Sequence, residues 1–150
     1  MGSKTLIASN RRARYDYFIE DTIEAGLVLA GVEVKALREH KLSIQEAFAV
    51  IDNGELWIRD LYIAPYTSRG YTTMDPRRPR KLLVNRSELR RLTHRVAEKG
   101  YTLVPISLYF NERNYAKIEL GLGRGKHNYD KRESIAERDY ERRLQRAGEE

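Results

Sequence analysis

Three groups of residues in this chain have the types and spacing to do chemistry. Glu20, Asp21 and Glu24 set three carboxylates within five positions, a composition that can hold a metal ion. In an extended strand, however, Glu20 and Asp21 point to opposite faces, which argues against a shared ion. Gly121-Leu122-Gly123-Arg124-Gly125-Lys126 has the composition of a phosphate loop. Leu120 and His127 break the Walker spacing, and a charged stretch follows where a nucleotide fold needs a buried helix, so the segment reads as a flexible exit from a last strand. The third group is basic: Pro76 to Lys99 holds nine Lys/Arg against two Glu. Arg77, Arg78, Arg80 and Lys81 sit in a Pro-bounded loop beside a helix on which Arg86, Arg90 and the neighbourhood of His94 share a face. Like charges gathered where folding alone would spread them point to a polyanionic partner.

No enzyme assembles from the remainder. His40, His94 and His127 lie far apart without metal-ligand spacing. The absence of cysteine excludes disulfides and thiolate metal sites. The expectation is a protein without catalytic residues, metal or cofactor. A formal charge of +6 over 150 residues favours nucleic acid as the partner. The amino-terminal residues lack a secretory apolar stretch, and no run reaches the ~20 apolar residues that span a bilayer, so a cytoplasmic protein with no membrane partner is expected.

The elements that must position these groups are short. Mixed aromatic, β-branched and acidic residues from Tyr15 to Thr22 predict a strand that continues past a bend or bulge at Gly26 to Leu29. Gly31 to Arg38 predicts a helix with Val34, Leu37 and Val32 facing inward. Ser43-Ile44-Gln45-Glu46 has capping-box spacing and predicts one more helical turn. Asp52-Asn53-Gly54 between Ala47–Ile51 and Glu55–Ile58 predicts a tight hairpin. Leu61 to Tyr66 is expected to extend that sheet, and Thr67 to Pro79 to form a loop. Asn85 as N-cap with Glu88 three residues on, an apolar stripe of Leu89, Leu92 and Val96, and Gly100 as the stop predict a second helix. Tyr101 to Phe110 and Tyr115 to Leu120 pair around residues 111–114, with Pro105 at an edge or bulge.

The fold class that follows is mainly β: a small antiparallel barrel like the oligonucleotide-binding fold, with two or three short helices. It should occupy residues 1–123. Residues 124–150 carry eight Lys/Arg, seven Asp/Glu and six apolar side chains, too little apolar area to order the segment, so a tail disordered when free is expected. Placing Ile135 to Ala147 on a helix aligns Arg138, Arg142 and Arg146, and such a helix needs a surface to form on.

A series of segments spread over nearly the whole chain resembles the SsrA-binding protein family (small protein B, SmpB) of bacterial trans-translation. They are Asn10-Arg11-Arg12-Ala13-Arg14 with Tyr17-Phe18-Ile19-Glu20, Glu24-Ala25-Gly26, Glu33 to Arg38, Asp75-Pro76 with Arg80 to Leu83, Glu98 to Pro105, Leu108-Tyr109-Phe110, and Gly125-Lys126 with Asp130-Lys131-Arg132. The resemblance implies a barrel that binds the tRNA-like domain of transfer-messenger RNA (tmRNA) and delivers it to stalled ribosomes, without catalysis of its own. It also implies two partners, tmRNA and the ribosome, the latter through the small-subunit decoding centre and mRNA channel. By position, the implied RNA contacts are Asn10, Glu24, Leu83 and Lys117, with Lys35, Arg124, Gly125 and Lys126 nearby. Asp130, Lys131 and Arg132 match a tail motif implied to act after RNA binding, when the tail becomes helical in the empty mRNA channel. Tyr129 stands where some members have His, and Arg138 and Arg142 belong to the same tail. Two other readings remain open: a general single-stranded RNA or DNA binder stacking bases on Tyr15, Tyr17, Trp57 and Tyr62, and a module that docks on a protein through its tail.

Overall fold

The computed structural model of the chain describes residues 4–65, 74–98 and 100–126. Along them run strands β1 (Thr5–Ser9), β2 (Tyr17–Leu27), β3 (Leu42–Ser43), β4 (Phe48–Asp52), β5 (Glu55–Arg59), β6 (Tyr62–Ile63), β7 (Arg80–Leu83), β8 (Tyr101–Phe110) and β9 (Ala116–Gly125). The helices are α1 (Ala13–Asp16), α2 (Gly31–Arg38) and α3 (Arg86–Ala97). Antiparallel pairing links β8, β4, β5, β7, β2 and β9 in that order, and β9 pairs back to β8, so the sheet closes into a ring. β1 lies along the second half of β8. Ring closure pairs strands that would be edges of an open sheet, and leaves β1 paired on one side. Leu37, Ile58, Leu108, Ile118 and Leu120 fill the interior with no exposed surface, each worth roughly 1.5–3 kcal/mol of apolar burial.

Where the local signal is strong, sequence and structure agree. Asn53 (φ 50°) and Gly54 (φ 72°) make the tight turn between β4 and β5. The Asn85 side chain accepts from the Glu88 N–H at 2.9 Å to cap α3, and Gly100, at φ 90°, follows its end. α2 has the expected bounds. Pro105 cannot donate to a ladder, and β8 bulges between Pro105 and Ser107.

Elsewhere tertiary packing overrides the local reading. Gly26 makes no bulge; β2 bulges between Ile19 and Asp21 instead. On α2, Val32 is exposed while Glu33 is buried, the reverse of the expected pattern, because two arginines wait inside for the carboxylate. Ser43 to Glu46 forms no helix: Ser43 ends β3, and Ala47 N–H closes a turn onto the Ile44 carbonyl. β6 pairs with β3 in a separate two-stranded sheet rather than extending the hairpin.

The expected flexible exit is strand. β9 runs through Gly125, two residues beyond the expected core limit at 123. A Cβ at Gly121 would lie 2.8 Å from Ile106 Cδ1, and one at Gly123 would lie 2.8 Å from the Phe18 carbonyl oxygen. These glycines are there because neighbouring chain lies over them, not because the segment needs to bend. Among the described residues, no helix is long and apolar enough to cross a membrane.

Candidate nucleic-acid interface

The register around Gly26 gathers residues that are distant in sequence. Gly26 stands between Leu83 on β7 and Lys117 on β9; Lys117 faces Tyr109 on β8, and Tyr109 faces Leu6 on β1. Side chains alternate along a strand, so Glu24 shares the outer face of Gly26 while Ala25 and Leu27 are buried. Glu24, Leu83 and Lys117 thus come together from three strands. Gly26 leaves a gap between them: Leu83 Cβ and Lys117 Nζ lie 3.5 and 3.7 Å from where its Cβ would be. Leu83 is 53% exposed, an apolar side chain with water over it.

The electrostatics of this face centre on Glu24. The Tyr109 hydroxyl donates to Glu24 Oε2, and Lys4 Nζ lies 4.0 Å from the same oxygen and 4.9 Å from the centre of the Tyr109 ring. Burial, and then the carboxylate beside it, push the phenol well above its ordinary range, so Tyr109 keeps its proton and donates a hydrogen bond at any physiological pH. Tyr109 was not singled out from the sequence. The signal was present: in Leu108-Tyr109-Phe110, alternation around two inward apolar residues places the tyrosine outside.

Asn10 has a different setting. It is buried, with its backbone N–H on the Ile106 carbonyl (2.7 Å) and its side-chain amide on the Pro105 carbonyl (3.1 Å), so it serves the bulge of β8 that proline created. Its side-chain oxygen accepts from Arg12 N–H at 3.3 Å, shaping the entry to α1. Asn10 also lines a cleft of about 550 Å³ with Arg12, Asp16, Tyr17, Glu46 and Phe48.

At the far end of β9, Arg124 pairs with Phe18 and Tyr101, and Gly125 with Tyr17. Arg124 Nε is 3.4 Å from Glu20, and Lys126 Nζ lies 4.9 Å over the Phe18 ring. The acidic cluster divides here. Glu20 takes Arg95 (3.1 Å) and the Tyr101 hydroxyl (2.9 Å), Asp21 takes Arg91, and Glu24 turns to Tyr109. The bulge after Ile19 lets Glu20 and Asp21 both reach α3, where strict alternation would have separated them. The Arg91 guanidinium holds the Asp21 carboxyl below the usual carboxylate range. Among the described residues, no three His, Asp or Glu side chains gather as metal ligands would.

Arg80 and Lys81 lie on β7 rather than in the loop, and the basic segment is largely engaged internally. Arg80 is fully buried; its Nε reaches Glu33 at 2.6 Å, and its other nitrogens reach the Leu61 and Pro76 carbonyls at 2.5 and 3.0 Å. Arg78 also binds Glu33, whose Oε1 accepts from the Ala30 N–H at the start of α2. Burial pushes the Glu33 carboxyl up, but the hydrogen bonds from Arg78, Ala30 and Arg80 together bring it below its ordinary value. Arg77 pairs with Glu46 at 3.2 Å and lies 5.5 Å over the Tyr62 ring. These arginines are therefore not a free cationic surface, and only Arg77 of the three remains substantially exposed. On α2, Lys35 is exposed two residues beyond Glu33. On α3, Arg86, Arg90 and His94 are exposed, as the helix pattern predicts.

Tyr15 is on α1, Tyr17 on β2, Trp57 on β5 and Tyr62 in the small sheet under Arg77. The tail residues Tyr129, Asp130, Lys131, Arg132, Arg138 and Arg142 lie outside the described residues.

Known proteins resemble this chain along most of its length. A family model described as SmpB protein matches residues 7–150. A protein of Moorella thermoacetica named SsrA-binding protein is 51% identical over 142 residues, covering 95% of this chain and 92% of its own. The SsrA-binding protein of Thermobifida fusca is 54% identical over 146 residues, 97% of this chain and 90% of its own. A solved chain described under "tmRNA-SmpB: a journey to the center of the bacterial ribosome" is 55% identical, with a TM-score of 0.66 over 79% of this chain and 83% of that one.

Proposed function

This chain belongs to the SmpB protein family, and we propose on that premise that it binds the tRNA-like domain of tmRNA and delivers it to stalled ribosomes. The observation that carries the reading is the outer face around Gly26, where Glu24, Lys117 and Leu83 converge, in a chain about half identical to proteins named SsrA-binding protein. A rigid barrel presenting an acceptor, a cation and an apolar side chain suits folded RNA, which is recognised by shape, phosphates, 2′-hydroxyls and a few base edges. Lys117 takes phosphate. Glu24 repels phosphate and accepts from a base N–H or a ribose hydroxyl. Arg124, Gly125, Lys126 and Lys35 extend the contact, and Asn10 supports it by holding the β1–α1 junction on β8.

In this reading the protein catalyses nothing itself and works in the cytoplasm. The tail from Tyr129 through Asp130, Lys131 and Arg132 to Arg138 and Arg142 orders in the empty mRNA channel, where its basic side chains meet ribosomal RNA. The test is a pair of assays. Titration with the tRNA-like domain and with unstructured RNA of equal length should favour the former. Single-turnover alanyl transfer on ribosomes carrying truncated mRNA should collapse when the chain is cut after Asn128, with RNA affinity nearly unchanged. Equal affinity for both RNAs would sink RNA recognition, and full-rate transfer by the truncated chain would sink the role of the tail.

A further inference from the structure

We propose that Tyr109 is a positioning residue for RNA recognition: its hydroxyl, with Lys4 beside it, fixes the Glu24 carboxylate so that one oxygen is turned to the RNA as a single acceptor. The proposal rests on the reading of Glu24 as an RNA contact and adds how that contact is prepared.

A glutamate on a sheet surface samples several rotamers, and ordering it on binding costs affinity. Here the ordering is done beforehand. Tyr109 is only 6% exposed, set between inward Leu108 and Phe110 on a strand paired on both sides. Its hydroxyl is therefore a fixed point, and it donates to Glu24 Oε2. Lys4 Nζ, 4.0 Å from that oxygen and over the ring, adds charge to the same side of the carboxylate. Oε1 has no hydrogen-bond partner among the described residues and is left as the acceptor. Since the phenol stays protonated, Oε2 stays engaged, and the ligand donor, a base N–H or a 2′-hydroxyl, must come to Oε1 rather than bridge both oxygens. A carboxylate with both oxygens free would instead accept a two-pronged donor in either orientation. Tyr109 thus narrows what Glu24 can read.

The experiment titrates the full chain with the tRNA-like domain RNA, comparing wild type with Tyr109→Phe, Glu24→Gln, the double variant, and Lys4→Met, each checked for thermal unfolding. Tyr109→Phe should weaken binding roughly 3- to 10-fold, the scale of one immobilised side chain, with the salt dependence unchanged because no phosphate contact is lost. In the Glu24→Gln background the same change should do nothing further. A phenol with a merely structural role would lower the melting temperature and add its loss to that of Glu24→Gln. Undiminished binding by folded Tyr109→Phe, or additive losses, overturns the proposal while leaving Glu24 at the RNA. Wild-type binding by Glu24→Gln removes Glu24 from the interface and takes the proposal with it. If Tyr109→Phe does not fold, Lys4→Met decides: a loss of about 2-fold that vanishes in the Glu24→Gln background supports the proposal, and no loss overturns it.

Discussion

Glu24 and Glu33 lie nine residues apart, each beside basic or phenolic donors, and the fold gives them opposite settings. Glu33 is inside, with both oxygens taken by Arg78, Arg80 and the Ala30 N–H, so that the start of α2, the segment before β7 and β7 itself are held at one point. Glu24 is outside, its side chain 44% exposed, with one oxygen held by Tyr109 and no hydrogen bond on the other among the described residues. An internal carboxylate with every lone pair engaged can only stabilise. One with an acceptor left over can recognise. Net charge and local composition do not separate the two cases, because the difference is burial, and burial belongs to the finished fold.

The sharpest break of that comparison is at Glu33. Glu33→Ala leaves the buried Arg80 guanidinium without its counter-charge, and should destabilise the barrel by about 3–5 kcal/mol, seen as a lower denaturant midpoint. RNA affinity should change only as far as the fold does. Acid should act through the same carboxylate. Its folded value lies below the ordinary one of 4.5, so its contribution is present above about that pH and is lost as pH falls through the lowered value. Melting temperature measured from pH 6 to pH 3 should show that loss, and Glu33→Gln should flatten it.

Glu24→Ala should do the reverse, weakening tRNA-like RNA binding by roughly 1–3 kcal/mol while leaving the denaturant midpoint within experimental error of wild type. A destabilised Glu24→Ala with normal affinity would erase the distinction. Lys117→Ala comes next, reducing the slope of log affinity against log salt by about 0.7–0.9, the signature of one lost phosphate contact. The smallest change belongs to Arg77. Its pair with Glu46 is exposed on both sides, so Arg77→Ala should cost under about 1 kcal/mol in stability. An altered salt slope in Arg77→Ala would bring the loop back into the RNA interface.

These two carboxylates also mark how far the sequence is legible. The hairpin at Asn53-Gly54 and the capped helix α3 can be read directly, because a positive φ and an N-cap are local demands that few residues meet. The closed barrel follows from the number and alternation of strands. Glu33 could not be found, since an acid in the first turn of a short helix also suits its dipole and looks solvated. Gly121 and Gly123 read as looseness because glycine carries that meaning locally, while the side chains that require it, Ile19 and Ile106, arrive from other strands. The bulge after Ile19 is equally silent. Glu24 shows in the sequence only as one of an acidic cluster, Leu83 and Lys117 only through family resemblance, and what unites the three is pairing register, which depends on the whole ring.

That ring gives β9 a mechanical meaning. The strand is paired along its length with β2 on one side and β8 on the other. A pull along the strand axis therefore cannot peel β9 off one bond at a time. It must slide the strand lengthwise against two ladders at once, so the load is shared among many bonds in shear. Loaded along that axis, β9 is held to the barrel from both sides rather than along one edge.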